Sequence, residues 1–137
     1  EGGAVDRSVV LAGLDALSDR YDYVTMEGSG GIICPLRYDD KTLWLADLIR
    51  ARDMPCLLVA DAGLGTINAV ALTASFMRTN GLSLRAIIFD RYDPTSEMHR
   101  DNLAMCETLT GCRVVACVRE GDDRLRLPVH ELKALYG

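Results

Sequence analysis

The turn Glu27-Gly28-Ser29-Gly30-Gly31 combines residue types that suit chemistry on a phosphate. Glycines let the backbone bend sharply and let a ligand approach main-chain N–H groups with no Cβ in the way. A carboxylate at the start of such a turn can ligate Mg²⁺ directly or through water, because Mg²⁺ prefers hard oxygen ligands. The pattern predicts a metal and phosphate contact at Glu27, with a tight bend that binds nothing as the alternative.

A second glycine-rich segment, Gly63-Leu64-Gly65-Thr66-Ile67-Asn68, leads from a predicted strand into a predicted helix. The free N–H groups and the dipole of a helix start favour an anion. Asn68 stands where a dinucleotide fingerprint has its third glycine, which weakens the interpretation as a Rossmann-type dinucleotide domain but leaves it as an alternative. No lysine follows, so a phosphate loop is not predicted. The other interpretations are a site for a carboxylate or a single phosphate, and a helix start capped by Thr66 or Asn68 with nothing bound.

A third candidate is Asp90, which ends another predicted strand and precedes Arg91. Its carboxylate could accept a hydrogen bond from the amino group of a base, or the segment could be a plain loop whose turn is set by Asp93-Pro94. Asp61 and Glu27 end predicted strands in the same way. Because ligands bind beyond the carboxyl ends of parallel strands, we expect these three carboxylates at one edge of a sheet.

The elements that position these residues alternate along the chain. Hydrophobic periodicity and turn residues predict helices over residues 6–20, 42–52, 66–79 and 95–109 and one opened by Pro128. They predict strands over residues 21–27, 55–60, 84–89 and 113–118 and a short extended piece at 32–36. Strands that are apolar on both faces and separated by helices predict an α/β fold with a parallel sheet covered on both sides. Residues 1–137 are expected to form a single α/β domain portion.

Composition limits the function classes. The net charge of −5 argues against a general nucleic-acid binder, which usually has a basic face. The five cysteines are odd in number and show no C-x-x-C pair, which favours a reducing compartment. Apolar runs stay well short of the ~20 residues of a membrane span. We therefore predict a cytoplasmic protein with neither nucleic acid nor membrane as a partner.

Taken together and in order, the motifs resemble the C-terminal part of dethiobiotin synthetase. The resemblance extends from about Glu1 to Val118. It rests on residues 21–31, Pro35-Leu36, Ala46-Asp47-Leu48, residues 54–59, residues 63–68, Leu72-Thr73 and residues 81–84.

The resemblance implies a P-loop NTPase-like fold and a homodimeric ligase of biotin biosynthesis that depends on Mg²⁺ and ATP. In that reaction 7,8-diaminononanoate, a diamino carboxylic acid, takes up CO₂ as a carbamate. ATP phosphorylates the carbamate, the second amine attacks the mixed anhydride, phosphate leaves and a ureido ring closes. Phosphoryl transfer of this kind is mainly positioning and charge neutralisation.

The resemblance also implies roles for individual residues. Glu27 would ligate Mg²⁺ and contact the nucleotide together with Gly28, Ser29 and Gly30. The helix start formed by Gly65, Thr66, Ile67 and Asn68 would receive the substrate carboxylate across the dimer interface. Further nucleotide contacts would come from Asp90, Arg91, Arg119, Glu120 and Gly121. The family's proline is absent near the last three of these.

Asp90 is a departure from the family, which usually has Asn at this position. Asn reads adenine with one acceptor and one donor, whereas an ionised Asp offers only acceptors. The preference among ATP, CTP and GTP therefore stays open.

The phosphate loop, the catalytic lysine and a further metal carboxylate of the family are expected upstream of residue 1. The chain is thus expected to be incomplete at its N-terminal side, to hold no catalytic residue and to be inactive alone. The alternative function is a non-catalytic regulatory or interaction domain of the same lineage, like the related domain fused to some phosphate acetyltransferases.

Overall fold

A computed structural model of the chain describes residues 5–28 and 30–136. The chain divides into two compact units, residues 1–54 and residues 55–137, which are treated separately below. Among the described residues, none of the helices has the length and apolar character needed to cross a membrane.

The first unit begins with helix α1, Arg7–Ser18, which confirms the helix predicted near residues 6–20. Asp6 caps it, because its carboxylate accepts hydrogen bonds from the backbone N–H groups of Ser8 at 2.8 Å and Val9 at 3.4 Å. Asp is among the side chains that best satisfy the unpaired N–H groups at a helix start.

A small antiparallel pair and a helix follow in this unit. Strand β1, Pro35–Arg37, pairs with β2, Leu43–Trp44, and helix α2, Leu45–Ala51, begins directly after β2. The prediction that Thr42 caps this helix is wrong, because residues 43 and 44 are used in strand pairing. The side chain of Asp47 instead accepts a hydrogen bond from Trp44 N at 3.0 Å.

Two extended segments of the first unit were also predicted incorrectly. Residues 21–28 form no strand, although their sequence has high strand propensity. A strand exists only when its backbone pairs with another strand, and none of the described strands is paired with this segment. In the second segment, predicted over residues 32–36, the strand begins only at Pro35, after a turn.

The second unit contains the predicted parallel sheet, which confirms the α/β fold class. Strands β3, Cys56–Asp61, β4, Leu84–Asp90, and β5, Val114–Cys117, lie in the order β3-β4-β5. Helix α3, Thr66–Thr79, connects β3 to β4, and helix α4, Glu97–Thr110, connects β4 to β5. A short helix α5, Val129–Ala134, follows; Pro128 is its cap rather than its first residue.

The core of this unit lies between the sheet and helices α3 and α4, which also pack on each other. Ile87 and Phe89 on one face of β4 are fully buried, together with Val70 of α3 and Cys106 of α4. Alternate residues of a strand face the same side, so this spacing directs both β4 side chains to the helices.

One strand departs from the expectation of burial on both faces. Along β3, half-buried and exposed residues alternate, and Val59 is 63% exposed. β3 is an end strand in the order β3-β4-β5, so within the described residues it is paired on one side only.

Candidate functional site

The carboxyl edge of the sheet brings together two of the three predicted carboxylates. Asp61 and Asp90 are register partners at the ends of β3 and β4. Ala62 N donates to the carbonyl oxygen of Asp90 at 2.9 Å, which carries the pairing into the following turn. Glu27 lies in the first unit and follows residues that form no strand, so its place at this edge stays a prediction.

The turn between β3 and α3 folds back on Asp61. The carboxylate accepts a hydrogen bond from Gly63 N at 2.6 Å, and this bond, with a further one from Arg91, holds the pKa of Asp61 below its ordinary value. A Cβ on residue 63 would lie 2.8 Å from Asp61 Oδ1, so the Asp61 carboxylate would have to shift to admit one. Gly65, with φ +90°, then occupies the cap position of α3.

The start of α3 has no capping side chain, so the interpretation that Thr66 or Asn68 caps it is wrong. Gly65 is the cap and makes no side-chain hydrogen bond. Asn68 is exposed, and Ile67 packs its half-buried side chain against the core. N–H groups of the first helical turn have no partners within the helix, so they are suited to an outside acceptor.

The hydroxyl of Thr66 adds a second polar group to this helix start. Thr66 is 5% exposed, and its Oγ1 atom has no hydrogen-bond partner among the described residues. A groove of about 360 Å³ runs beside it and is also lined by Asp61, Leu64 and Gly65. Backbone donors, a buried hydroxyl and an adjacent groove are what a small anionic group requires.

Asn102 of α4 holds the other side of the same turn, and sequence reasoning missed it. Its Nδ2 atom donates to the carbonyl oxygens of Ala62 at 2.8 Å and Gly63 at 3.0 Å. One clue was present in the sequence, because Asn102 lies four residues before Cys106 and therefore on the buried face of α4.

Arg91 links the ends of the two strands. Its guanidinium is hydrogen-bonded to the Asp61 carboxylate, and Nη1 lies 3.7 Å from Asp90 Oδ2. Its backbone N–H donates to Asp90 Oδ1 at 2.9 Å, and its φ of +51° is left-handed. The Arg91 side chain is 64% exposed, so we expect solvent to weaken the ion pairs and a ligand to displace them.

The segment after β5 lies beside Asp90 and Arg91. Tyr92 N donates to the carbonyl oxygen of Val118 at 2.8 Å. The turn Arg119-Glu120-Gly121 follows, with Gly121 at φ +83°. The structure therefore brings two of the predicted nucleotide-binding segments together, and their contact with a nucleotide stays a prediction.

Two further side chains shape these loops and were not singled out as site residues. Asp122 Oδ2 accepts from Arg119 N at 2.9 Å and closes the turn after β5. His99 Nδ1 accepts from Asp93 N at 2.9 Å, and the Asp93 carboxylate accepts from the N–H and hydroxyl of Thr95, which lowers the pKa of Asp93. Asp93 thus sets the turn in the way that the alternative interpretation of this loop expected.

In the glycine turn of the first unit, packing restricts residue 28, and both packing and backbone conformation restrict residue 30. A Cβ on Gly28 would collide with Cδ2 of Leu45. Gly30 has φ +82°, and a Cβ there would lie 2.7 Å from the Sγ atom of Cys34. Ser29, the remaining predicted contact in this turn, lies outside the described residues.

Glu27 is exposed, as a metal ligand facing a phosphate would be. Among the His, Cys, Asp and Glu side chains that the structure describes, no group of three or more could hold a metal ion. Mg²⁺ often keeps several waters and takes one or two carboxylates together with substrate phosphates, so a lone carboxylate is compatible with it. The Mg²⁺ contact at Glu27 stays a prediction.

Comparison with protein families shows a match over residues 2–123 to the model of a family described as AAA domain. This match accords with the α/β fold class and with the predicted P-loop type of fold.

Among curated proteins, the chain is similar to enzymes named ATP-dependent dethiobiotin synthetase BioD. It is 41% identical to the Brachyspira hyodysenteriae protein over 137 residues, which is 99% of this chain and 61% of that protein. The identity to a Clostridium perfringens protein is 37% over 123 residues, 89% of this chain and 54% of that protein. A Clostridium botulinum protein is 36% identical over 127 residues, which is 93% of this chain and 56% of that protein. The predicted resemblance is confirmed, and the chain spans little more than half the length of these relatives.

Proposed function

The chain belongs to the AAA-domain family whose model it matches, and we propose that it is the C-terminal part of an ATP-dependent dethiobiotin synthetase. The observation that carries the proposal is the 41% identity, over nearly the whole chain, to an enzyme of that name. The reaction would convert 7,8-diaminononanoate, CO₂ and ATP into dethiobiotin, ADP and phosphate. The complete enzyme would act in the cytoplasm as a homodimer.

In this proposal the start of α3 binds the carboxylate of the diamino acid. The buried Thr66 hydroxyl supports that role, because it has no hydrogen-bond partner among the described residues, and the start of α3 has no capping side chain. The Thr66 N–H itself donates to the carbonyl oxygen of Gly63 at 3.3 Å. Ile67 and Asn68 contribute backbone N–H groups. Binding the distal carboxylate orients the two amines of the substrate, and such positioning is a large part of catalysis in phosphoryl-transfer enzymes.

Nucleotide contacts are proposed in each unit: residues 28–30 in the first unit, and the loops after β4 and β5 in the second. Asp90 would accept a hydrogen bond from the amino group of the base, with Arg91 and the turn of residues 119–121 beside it. Glu27 would hold Mg²⁺, which neutralises charge on the phosphates when bound. The phosphate loop and the catalytic lysine would lie upstream of residue 1, so the chain alone would be inactive.

The test is an assay of the complete enzyme with 7,8-diaminononanoate, bicarbonate, Mg²⁺ and ATP, with dethiobiotin measured directly. We expect Glu27→Gln to lower turnover by at least about 100-fold, because a metal ligand supports several kcal/mol of charge stabilisation and 1.4 kcal/mol is tenfold. Glu97→Gln is the control, since it makes the same change at an exposed position of α4. Running the assay with CTP and GTP measures the nucleotide preference.

Absence of dethiobiotin from the complete wild-type enzyme would contradict the proposed function as a whole. Unchanged turnover of Glu27→Gln, beside an active wild type, would contradict only the metal role of Glu27.

A further inference from the structure

Two buried polar side chains, Thr66 and Asn102, meet at one turn of the second unit. They are 5% and 7% exposed and are the buried polar residues of the chain within its described part. Burying an amide is unfavourable unless it is hydrogen-bonded, and Asn is a poor residue for a helix interior. A buried Asn in the middle of α4 therefore calls for a reason outside the helix.

The reason lies in the contacts of the Asn102 amide. Its Nδ2 group has two hydrogens and two acceptors within reach, the carbonyl oxygens of the successive residues Ala62 and Gly63. These residues lie 39 and 40 positions earlier in the chain, so the bonds hold the β3–α3 turn and contribute nothing to the α4 backbone. Asn102 thus fixes two neighbouring peptide groups of the turn at once.

Fixing those carbonyls also fixes the direction of the N–H groups. A trans peptide is planar, with its C=O and N–H pointing in nearly opposite directions. Because the Gly63 oxygen is held on the α4 side, the N–H of Leu64 points away from α4. The N–H of Gly63 is already used by the Asp61 carboxylate at 2.6 Å. The turn is therefore held from both sides with a donor directed outward.

The turn would not keep this orientation without the amide. Peptide groups beside glycine rotate at little steric cost, and both Gly63 and Gly65 flank Leu64. If Asn102 were lost, the Ala62 carbonyl oxygen would lose its amide partner and the Gly63 carbonyl oxygen would keep only the hydrogen bond from Thr66 N at 3.3 Å. Rotation toward solvent would supply the missing partners. A carbonyl oxygen would then replace an N–H group beside the groove that Thr66 lines, and it would repel an anion.

We propose that Asn102 is a positioning residue that keeps the N–H groups of the β3–α3 turn directed toward a bound carboxylate. The inference rests on the proposed function, in which the α3 start receives the carboxylate of 7,8-diaminononanoate. Asn102 itself does not touch the substrate. It determines whether the turn presents donors or acceptors to it.

The experiment compares two ligands on the complete enzyme by calorimetry: 7,8-diaminononanoate and the same diamine without its carboxylate, 7,8-diaminononane. The Asn102→Leu variant keeps nearly the size of the side chain and removes the donor without adding a charge. We expect wild type to prefer the acid and Asn102→Leu to bind the acid at least tenfold more weakly, with affinity for the carboxylate-free diamine unchanged. In kinetics, KM for the acid should rise while KM for ATP stays within twofold.

Thr110→Val is the matched control, because it removes a side-chain hydrogen bond to a backbone carbonyl, at 2.7 Å, near the other end of α4. It should keep the wild-type preference for the acid even if its melting temperature falls. The second test variant, Asn102→Ser, retains one donor and fills less space, so it replaces Asn102→Leu if that variant does not fold. It should show a smaller loss of the same preference.

A folded Asn102 variant that keeps the wild-type preference for the acid would overturn the inference and leave the proposed function standing. A wild-type enzyme that binds the acid and the carboxylate-free diamine equally would instead contradict the carboxylate site itself. The two failures are thereby distinguished.

Discussion

The glycine turn at residues 27–31 follows a segment that forms no strand, whereas the turn at residues 62–65 follows β3 and is held from both sides. In the first turn, glycine is required at residue 28 because the Leu45 side chain occupies the space of a Cβ. At Gly65 in the second turn there is open space, and glycine is required because φ is +90°.

Both causes occur in each turn, because Gly30 of the first has φ +82° and Gly63 of the second lies close to the Asp61 carboxylate. Gly28 and Gly65 are the positions where one cause acts alone. Crowding by a side chain is relieved when that side chain is made smaller. Strain in the backbone is not, because it arises between atoms of the residue itself and its neighbours. Gly28 and Gly65 should therefore respond differently to substitution by alanine.

The largest effect is expected from Gly28→Ala, because the new methyl group would collide with Leu45, which is 7% exposed. Overpacking of this kind typically costs about 1–3 kcal/mol in the free energy of unfolding. Chemical denaturation of the variant and the wild type measures it.

The double variant Gly28→Ala with Leu45→Ala decides the cause. If crowding is responsible, the loss from both changes together is smaller than the sum of the two single losses. Strictly additive losses would show that Leu45 is not what requires glycine at residue 28.

A smaller effect is expected from Gly65→Ala. The free energy of unfolding should fall by about 1–2 kcal/mol, because alanine is strained in the left-handed conformation, although nothing crowds its side chain. Gly31→Ala is the matched substitution in the other turn, where φ is not positive and a Cβ would meet nothing within 4 Å. Its effect should stay within about 0.5 kcal/mol. Equal losses in the two variants, measured by thermal unfolding, would contradict the assignment of strain to Gly65.

The smallest effect concerns pH and the carboxylate of Asp61. The Gly63 N–H and Arg91 lower its pKa in the folded chain from the ordinary value of 3.8. A lowered pKa gives stability that is fully present above the unfolded-state pKa and is lost as the pH falls below 3.8 through the folded value. The difference in unfolding free energy between wild type and Asp61→Asn should thus be constant near neutral pH and shrink in strong acid.

Urea unfolding at a series of pH values from neutral to strongly acidic measures this difference. Subtracting the unfolding free energy of the variant from that of the wild type removes the contribution of the other carboxylates, which both proteins share. A difference that does not change with pH would mean that the hydrogen bond from Gly63 does not favour the charged carboxylate.

Much of the second unit was predictable because its cues are local. Gly65 before the helix and Asn80-Gly81 after it mark both ends of α3, which spans Thr66–Thr79 as predicted. Short apolar runs likewise located β3, β4 and β5. Because Asp61 and Asp90 end two successive parallel strands, the sequence also predicted that they lie at the same edge of the sheet.

The errors and omissions arise where a partner distant in the chain decides the outcome. Residues 21–27 have strand propensity, yet a strand needs a neighbour that propensity does not specify. Helix α2 begins at Leu45 and is not capped by Thr42 as predicted, because residues 43 and 44 pair with β1.

The sequence by itself determined the element types of the second unit, the glycines that its turns require and the family to which the chain belongs. The tertiary structure alone decided that Asn102 reaches back 39 and 40 residues to hold the β3–α3 turn, and that the Thr66 hydroxyl is buried with no partner among the described residues. Periodicity and turn chemistry act between residues a few positions apart. Which side chain fills a given hydrogen bond across the core depends on how the elements pack.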